Sequence, residues 1–340
     1  MFEIEFYEEI ENEDVPVYFK NEYQSIFANY DKALFRVLKL RRESGDLYLP
    51  ILIRPLNGFF EAYSAYGYGG IIGTSQIPLS DEDFEKINGF LKEQKVVNLF
   101  LRNSPFLGNE RFIPEKYNFL NRITYIVNLR EYNNFDELKS CVGQNVRWAV
   151  NYAQRNSLTI EKRHHYEIKE EEIIRFYNIY LETMKFRNAP EYYYFSKDFF
   201  LKHFEDLKDM CELYLVKKDE EIIAGSIFLN DSKFVHYHFS AADVRYYKFQ
   251  PMDLMILKAI FDYGNEGKKI MHLGGGLSSN ASDGLSKFKK KFADEERKFY
   301  ISKVVVDEEN YYRLKKAYGV EESNMFLIGD ALKAKKESLR

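Results

Sequence analysis

The chain has 340 residues, 45% hydrophobic and 30% charged, with a net charge of −4, which is long for one core and comfortable for two. That balance excludes a disordered chain. The acidic charge excludes wholesale coating of a nucleic acid, though a local basic groove can still meet one end of an RNA and no DNA partner is expected. No run of 18 apolar residues offers a spanning helix, and MFEIEFYEEIENED is acidic where a signal peptide would be basic and then apolar, so a cytoplasmic protein is expected. Cys141 and Cys211 stand apart without C-x-x-C or a neighbouring His pattern, so both are expected to pack, with no disulfide framework and no metal site. The 29 Phe and 27 Tyr predict cores and clefts rich in rings.

In chain order, the alternation of Phe2–Tyr7 predicts a strand, and Pro16 opens a helix with Phe19, Tyr23, Ile26 and Phe27 on one side. Leu34–Leu40, Leu47–Ile53 and Phe59–Tyr66 read as an antiparallel meander, closed by the glycine-rich stretch Ala65–Gly73. A helix over 81–94 capped by Ser80 or Asp81, a buried strand over 96–101 and a strand over 123–129 complete the first half. Residues 134–156 read as one long connecting helix with Phe135, Leu138, Val142, Val146, Ala149, Val150 and Ala153 along a stripe.

The same order then returns. A strand over 158–162, helices over 168–185 and 197–208, and strands over 212–217, 221–229 and 233–241 lead to a helix over 252–263, a strand over 270–273, a helix over 283–292 and a last strand over 299–306. A helix near 310–318 and the basic helical tail ALKAKKESLR end the chain. The pattern predicts an α/β chain of mixed sheets, divided as 1–132, a connecting helix 133–156, and 157–340, and the repeat of an architecture suggests an old duplication.

The stretch 268–292, KKIMHLGGGLSSNASDGLSKFKKKF, concentrates the features that could carry chemistry. The run Ile270–Leu273 is ended by Gly274, Gly275 and Gly276, which leave no side chains over the strand end. Ser279, Asn280, Ser282 and Asp283 are helix-capping types, and Leu285, Phe288 and Phe292 make one helical face. Lys287, Lys289, Lys290 and Lys291 occupy the others. Bare amides beside ammonium groups suit anionic substrate groups, while a solvated lysine face is the bland alternative. No dinucleotide or P-loop fingerprint is present.

These elements and motifs resemble the GNAT acyltransferase fold, and two copies in one chain resemble the FemABX family of aminoacyltransferases. The resemblance covers nearly the whole chain. Its most specific parts are QNVRWAVNYAQRNSLTIE (144–161), FYNIYLETMKFRNAPEYYYFSKDFF (176–200), IIAGSIFL (222–229) and GLSKFKKKF (284–292), with AYGYGG (65–70) as the Tyr-Gly-Tyr-Gly turn of the first copy. It implies two tandem GNAT-like domains and transfer of an amino acid from a charged tRNA, with no other cofactor, to an amine of a peptidoglycan precursor, a UDP-muramyl-peptide or a lipid-linked one. A monomer is expected, and peripheral contact with the inner membrane face is compatible with that acceptor. The coiled-coil insertion that some members use for tRNA is lacking, so tRNA contact falls to the 285–291 lysines and the C-terminal tail.

Amide formation needs a neutral amine near the ester carbonyl and hydrogen-bond donors aimed at the oxygen that becomes negative. The resemblance places these donors where the third meander strand and the next strand splay, Tyr237–Ala242 facing His272–Gly275, with Tyr237, His238 and His272 in reach. Either histidine could accept the amine's proton, against which stands the commoner reading of a lone His in an apolar strand as a packed, hydrogen-bonded residue. Lys289 after Phe288 matches the family's Phe-Lys pair beside the reacting ester. Arg187 with Tyr192, Tyr193 and Tyr194 matches a cluster holding acceptor phosphates, against which stands an aromatic filling of the groove. Asp283 reads as a helix cap first. The rival is an acyl-CoA-dependent GNAT enzyme acylating an amine in envelope polysaccharide assembly, using acetyl-CoA or another acyl-CoA. Against it, residues 246–252 read YYKFQPM, without the glycines that wrap a pyrophosphate and with Pro251 contributing no amide hydrogen. A third reading is a non-catalytic binding module of the same fold.

Overall fold

The computed structural model describes residues 3–11, 14–277, 279 and 283–338. Phe2, Asn280 and Ser282, for which a strand start and helix caps are expected, lie outside the described residues. The chain forms two compact units, one of Met1–Asn121 with Lys298–Arg340 and one of Arg122–Arg297.

In the first unit, β1 (Glu3–Tyr7), α1 (Asn21–Asp31), β2 (Leu34–Arg41), β3 (Leu47–Leu56), β4 (Phe59–Tyr63), the short β5 (Ile72–Gly73), α2 (Asp81–Glu93) and β6 (Val96–Arg102) follow one another. The helix α2 starts as its sequence demands: Ser80 and Asp83 cap each other's backbone amides reciprocally. Strands β1 to β4 pair antiparallel in sequence order, with β5 on β3. Strand β6 then joins β4 parallel from Phe60↔Val96 to Tyr63↔Phe100. Leu38, Leu49, Ile51, Phe84, Ile87 and Leu99 form its main core.

The second unit takes β7 (Asn118–Asn128), α3 (Phe135–Cys141), α4 (Gln144–Arg155), β8 (Leu158–Arg163), α5 (Glu170–Phe186), α6 (Lys197–Leu207), β9 (Cys211–Lys218), β10 (Glu221–Asn230), β11 (Phe234–Ala242), α7 (Pro251–Asn265), β12 (Ile270–Gly275) and α8 (Gly284–Lys290). Strands β8, β9, β10 and β11 run antiparallel in sequence order, β12 joins β11 parallel, and β7 joins β12 antiparallel. The core between this sheet and helices α4 and α7 holds Tyr214, Phe228, Met255, Ile256, Tyr263 and Met271.

The expected long connecting helix is two helices. Val142 and Gly143 are extended between α3 and α4, and the Arg147 guanidinium turns back to donate to the carbonyls of Lys139, Ser140 and Val142 at 2.9–3.1 Å, which satisfies the open end of α3.

The final strands are exchanged. β13 (Glu295–Val305) pairs with β6 of the first unit from Ile301↔Arg102 to Val305↔Asn98, while β7, which follows the first half in sequence, pairs with β12 of the second. The last helices, α9 (Glu308–Tyr318) and α10 (Ile328–Ser338), pack on Leu56 and Val97 of the first unit. The units therefore divide the chain differently from the expected 1–132, 133–156 and 157–340. An apolar run specifies that a strand will be buried and leaves its partner open. Cys211 is buried as expected, whereas Cys141 is exposed at the end of α3. No helix among the described residues is long and apolar enough to cross a membrane.

Candidate active site

The site is built where β11 and β12 part. Their parallel register runs Phe234↔Ile270, Val235↔Met271, His236↔His272 and stops. Beyond it β11 continues to Ala242 against β10, and β12 shifts register after His272 to continue against β7 as Gly274↔Tyr125 and Gly275↔Thr124. A wedge opens between the strand ends. The glycines there are required: Gly274 has a φ of +75°, and a Cβ on Gly276 would stand 1.9 Å from Ser286 Oγ and 2.4 Å from Asp283 Oδ2.

Asp283 is the cap of α8. Its carboxylate accepts from the amides of Leu285 and Ser286 at 3.0 and 2.9 Å, from Ser286 Oγ at 2.9 Å and from the Leu277 amide at 3.2 Å, which leaves it a structural anchor.

Lys289 enters the wedge from α8. Its side chain is buried, only 7% exposed, and Nζ donates to the Gly275 carbonyl at 2.8 Å while lying 5.8 Å from the centre of the Tyr237 ring. Burial, then the positive charges of Arg122 and Arg187, bring its pKa down to about 7, with Asp283 working the other way. A lysine in that range is both a hydrogen-bond donor and a group that exchanges a proton near neutrality. The other lysines of α8 do not form one cationic face. Lys290 pairs with Glu296 at 2.7 Å, Lys291 forms an ion pair with the buried Asp253, and Lys287 is exposed.

Arg122, on β7, completes the cationic wall: its Nη1 donates to the Gly276 carbonyl at 2.7 Å, and its Cδ lies 2.7 Å from where a Cβ on Gly275 would stand. The sequence offered no signal for it, since 154 residues separate it from Gly276. Arg187, at the end of α5, is exposed, and its charge acts on Lys289 and Tyr237. Burial pushes the Tyr237 phenol up, so it is a neutral donor at ordinary pH.

The remaining sequence candidates are placed around this centre. Phe288 packs on Phe292, with ring centres 5.6 Å apart, and against the α7 core. His272 is 1% exposed, its ring 5.8 Å from His236, and burial holds its pKa well below the usual imidazole value. His238 lies between His203 and Phe239 and is likewise pushed well down by burial. Bases so weak accept little of an ammonium's proton at neutral pH, and the range that suits an amine belongs to Lys289. Tyr192 and Tyr193 form part of a 3-10 turn over a ring cluster that includes Phe195 stacked on Phe199 at 4.2 Å. The Tyr193 carbonyl accepts from Tyr180 Oη at 2.8 Å, and Tyr194 ends the turn half-buried.

The start of α7 is filled from within. Gln250 adopts a left-handed conformation with φ 58°, Pro251 supplies no amide hydrogen, and no side chain caps the end. Asp253 in the first turn is 3% exposed and bound to Lys291. The Asp253 carboxylate, paired with Lys291, puts negative charge in the first turn of this helix, which opposes a phosphate there. Among the described residues no group of three or more His, Cys, Asp or Glu is arranged to hold a metal ion.

Residues 144–290 match the Acetyltransferase (GNAT) domain family. No curated protein matches the chain. Among solved structures, the chain is similar in fold to FemX, with 13% identity over 87% of this chain and 93% of that one and a TM-score of 0.62. It is also similar to the C-terminal domain of a putative lysylphosphatidylglycerol synthetase from Agrobacterium fabrum, with 14% identity, coverage of 82% and 86% and a TM-score of 0.54. A tandem GNAT protein from the clavulanic acid biosynthesis pathway matches at 9% identity over 88% and 98%, with a TM-score of 0.50.

Proposed function

We propose that this chain is a FemABX-like GNAT acyltransferase that transfers an aminoacyl group from a charged tRNA to an amine of a peptidoglycan precursor, a reading supported by the GNAT family match and the likeness in fold to FemX. The observation that carries the choice of donor is the start of α7, where Pro251 and the buried Asp253–Lys291 pair stand in place of the free glycine amides that would wrap the pyrophosphate of an acyl-CoA. An aminoacyl ester on a ribose asks nothing of that helix end.

In this reading the ester carbonyl lies in the wedge between β11 and β12. The acceptor nitrogen attacks the carbonyl carbon, the C–N bond forms, and the bond to the ribose oxygen breaks. The proton lost by the amine ends on that oxygen. Lys289 and the Tyr237 hydroxyl supply donors for the oxygen that becomes negative. Lys289, with a pKa of about 7, is suited to hand a proton to the leaving ribose oxygen. Arg122 and Arg187 hold the local potential positive for a phosphate-bearing substrate, and a UDP-linked or lipid-linked muropeptide carries such phosphates.

A thermal-shift panel with acetyl-CoA, UDP-muramyl pentapeptide and charged tRNA tests the assignment, because a ligand that prefers the folded state raises the melting temperature. Stabilisation by the muropeptide and by charged tRNA, followed by transfer of a radiolabelled amino acid, supports it. Stabilisation by acetyl-CoA with acyl transfer from it replaces it with the acyl-CoA reading.

A further inference from the structure

Away from the wedge, the outer face of α4 carries exposed rings and cations. The helix QNVRWAVNYAQR buries Val146, Ala149, Val150 and Ala153 and contains no Asp or Glu. Trp148, the one tryptophan of the sequence, is 55% exposed. Its ring stacks on Tyr152 one turn on, with centroids 5.4 Å apart and planes 10° apart. Arg155 is held by its Nε to the Asn151 carbonyl at 3.3 Å and is exposed. Arg147, also exposed, is fixed on the end of α3. An ordered planar stack flanked by anchored guanidinium groups is arranged before any ligand arrives.

Most of the cations expected to meet an RNA are engaged elsewhere. Lys289 is buried, Lys290 and Lys291 are paired with Glu296 and Asp253, Lys333 pairs with Asp31 at 3.5 Å, and Lys335 donates to the carbonyls of Tyr318 and Gly319. Helix α4 also packs on the 3-10 turn Val244–Phe249, and Tyr247 of that turn meets Phe186, the residue before Arg187.

We propose that the Trp148–Tyr152 face is a stacking platform for an unpaired nucleotide of an RNA, with Arg155 and Arg147 taking the flanking phosphates. Base faces stack on aromatic rings regardless of sequence, and arginine matches phosphate with a planar fork. The charge decides for a polyanion, since the helix offers two arginines and no carboxylate. Gln144, Asn145, Asn151 and Gln154 around the rings break up the apolar area that a lipid surface would require. The platform rests on the charged-tRNA reading only for which RNA arrives.

Because Trp148 is the sole tryptophan, its emission reports on its own face. Titrating the full chain with a short unacylated single-stranded oligoribonucleotide is expected to quench it. Tyr152→Ala is expected to weaken binding about tenfold, and Arg155→Gln to lower the logarithmic salt slope by about 0.7, both with unchanged circular dichroism. Absence of quenching, or quenching that neither variant alters, overturns the platform. A blue shift with anionic phosphatidylglycerol vesicles and no response to RNA reassigns the face to a lipid surface and overturns it as well. Failure of the donor reading is seen separately. Quenching sensitive to both variants, without transfer from any charged tRNA, leaves the platform and removes the donor. Transfer with an unchanged KM for charged tRNA in Trp148→Ala keeps the donor and removes the platform.

Discussion

Lys289 Nζ and the Gly275 carbonyl, 14 residues apart in sequence, meet at 2.8 Å and close the helix α8 onto the end of the strand before it. The contact satisfies one donor of a buried ammonium whose surroundings otherwise disfavour its charge.

Lys289→Met is therefore expected to separate activity from stability. Turnover should fall about 100-fold or more, the order seen when one preorganised donor is removed from a reacting oxygen. Stability should rise. The folded pKa of about 7 lies below the ordinary lysine value of 10.5, so stability is fully present above 10.5 and is lost as pH falls toward 7. Replacing the amine removes that loss. The melting temperature of Lys289→Met should exceed that of the parent by a few degrees at pH 6, with the difference shrinking toward pH 9. An unchanged turnover would take Lys289 out of the chemistry.

The Asp253–Lys291 pair should behave as a unit. Lys291→Met strands a buried carboxylate and is expected to cost about 3–5 kcal/mol, whereas Asp253→Asn combined with Lys291→Met should recover most of it. Urea denaturation of the two single variants and the double variant gives the coupling directly.

The buried imidazoles predict acid sensitivity. Burial holds His203 at about 4 and His236 at about 3, both below the ordinary 6.5. The unfolded chain binds protons as pH falls through 6.5 while the folded chain does not, so their contribution is complete above 6.5 and is lost progressively down to about 4 and 3. Melting temperatures should drop across that window, and the drop should be shallower in His236→Leu.

Glu61, wholly buried on β4, caps α10 by accepting from the amides of Ile328 and Gly329 and also binds Arg54 at 2.9 Å. Glu61→Ala removes the cap and leaves Arg54 with Asp330 as its remaining ion-pair partner. A loss of about 3 kcal/mol is expected, with hydrogen exchange over 328–338 rising more than elsewhere in the first unit.

The elements of the second unit are legible in the sequence to within a few residues, because the meander 211–242, the apolar helix from Pro251 and the abrupt glycine triplet each carry a strong local period or break. Lys289 was legible only through the Phe-Lys pair of the family resemblance, since its helical position put it with the lysines outside the apolar stripe and its burial came from elsewhere. Asp253 also left a trace, as an acid in the first turn of a largely apolar helix. Arg122 and the exchanged strands left none. Their places are set by pairing between segments distant in sequence, as Ile270 with Asn128 and Arg122 with Gly276, and neither periodicity nor residue type encodes a distant partner. The expected lysine face failed for a related reason, since helical position does not reveal the acids, Asp253 and Glu296, brought up by other elements.

The exchange of β7 and β13 sets an order on the chain's assembly at the ribosome. The strands and helices of the second unit lie within residues 118–297, so the segment bearing Lys289 can close while later residues are still being added. The N-terminal unit, although made first, must wait with the flank of β6 open until β13 emerges, and with the Glu61 carboxylate lacking two of its donors until Ile328 and Gly329 arrive. An exposed strand edge in a nascent chain is a hazard for association with its neighbours. Synthesis that stalls before the last 40 or so residues would thus release a chain whose acyltransferase half is formed and whose first half is sticky.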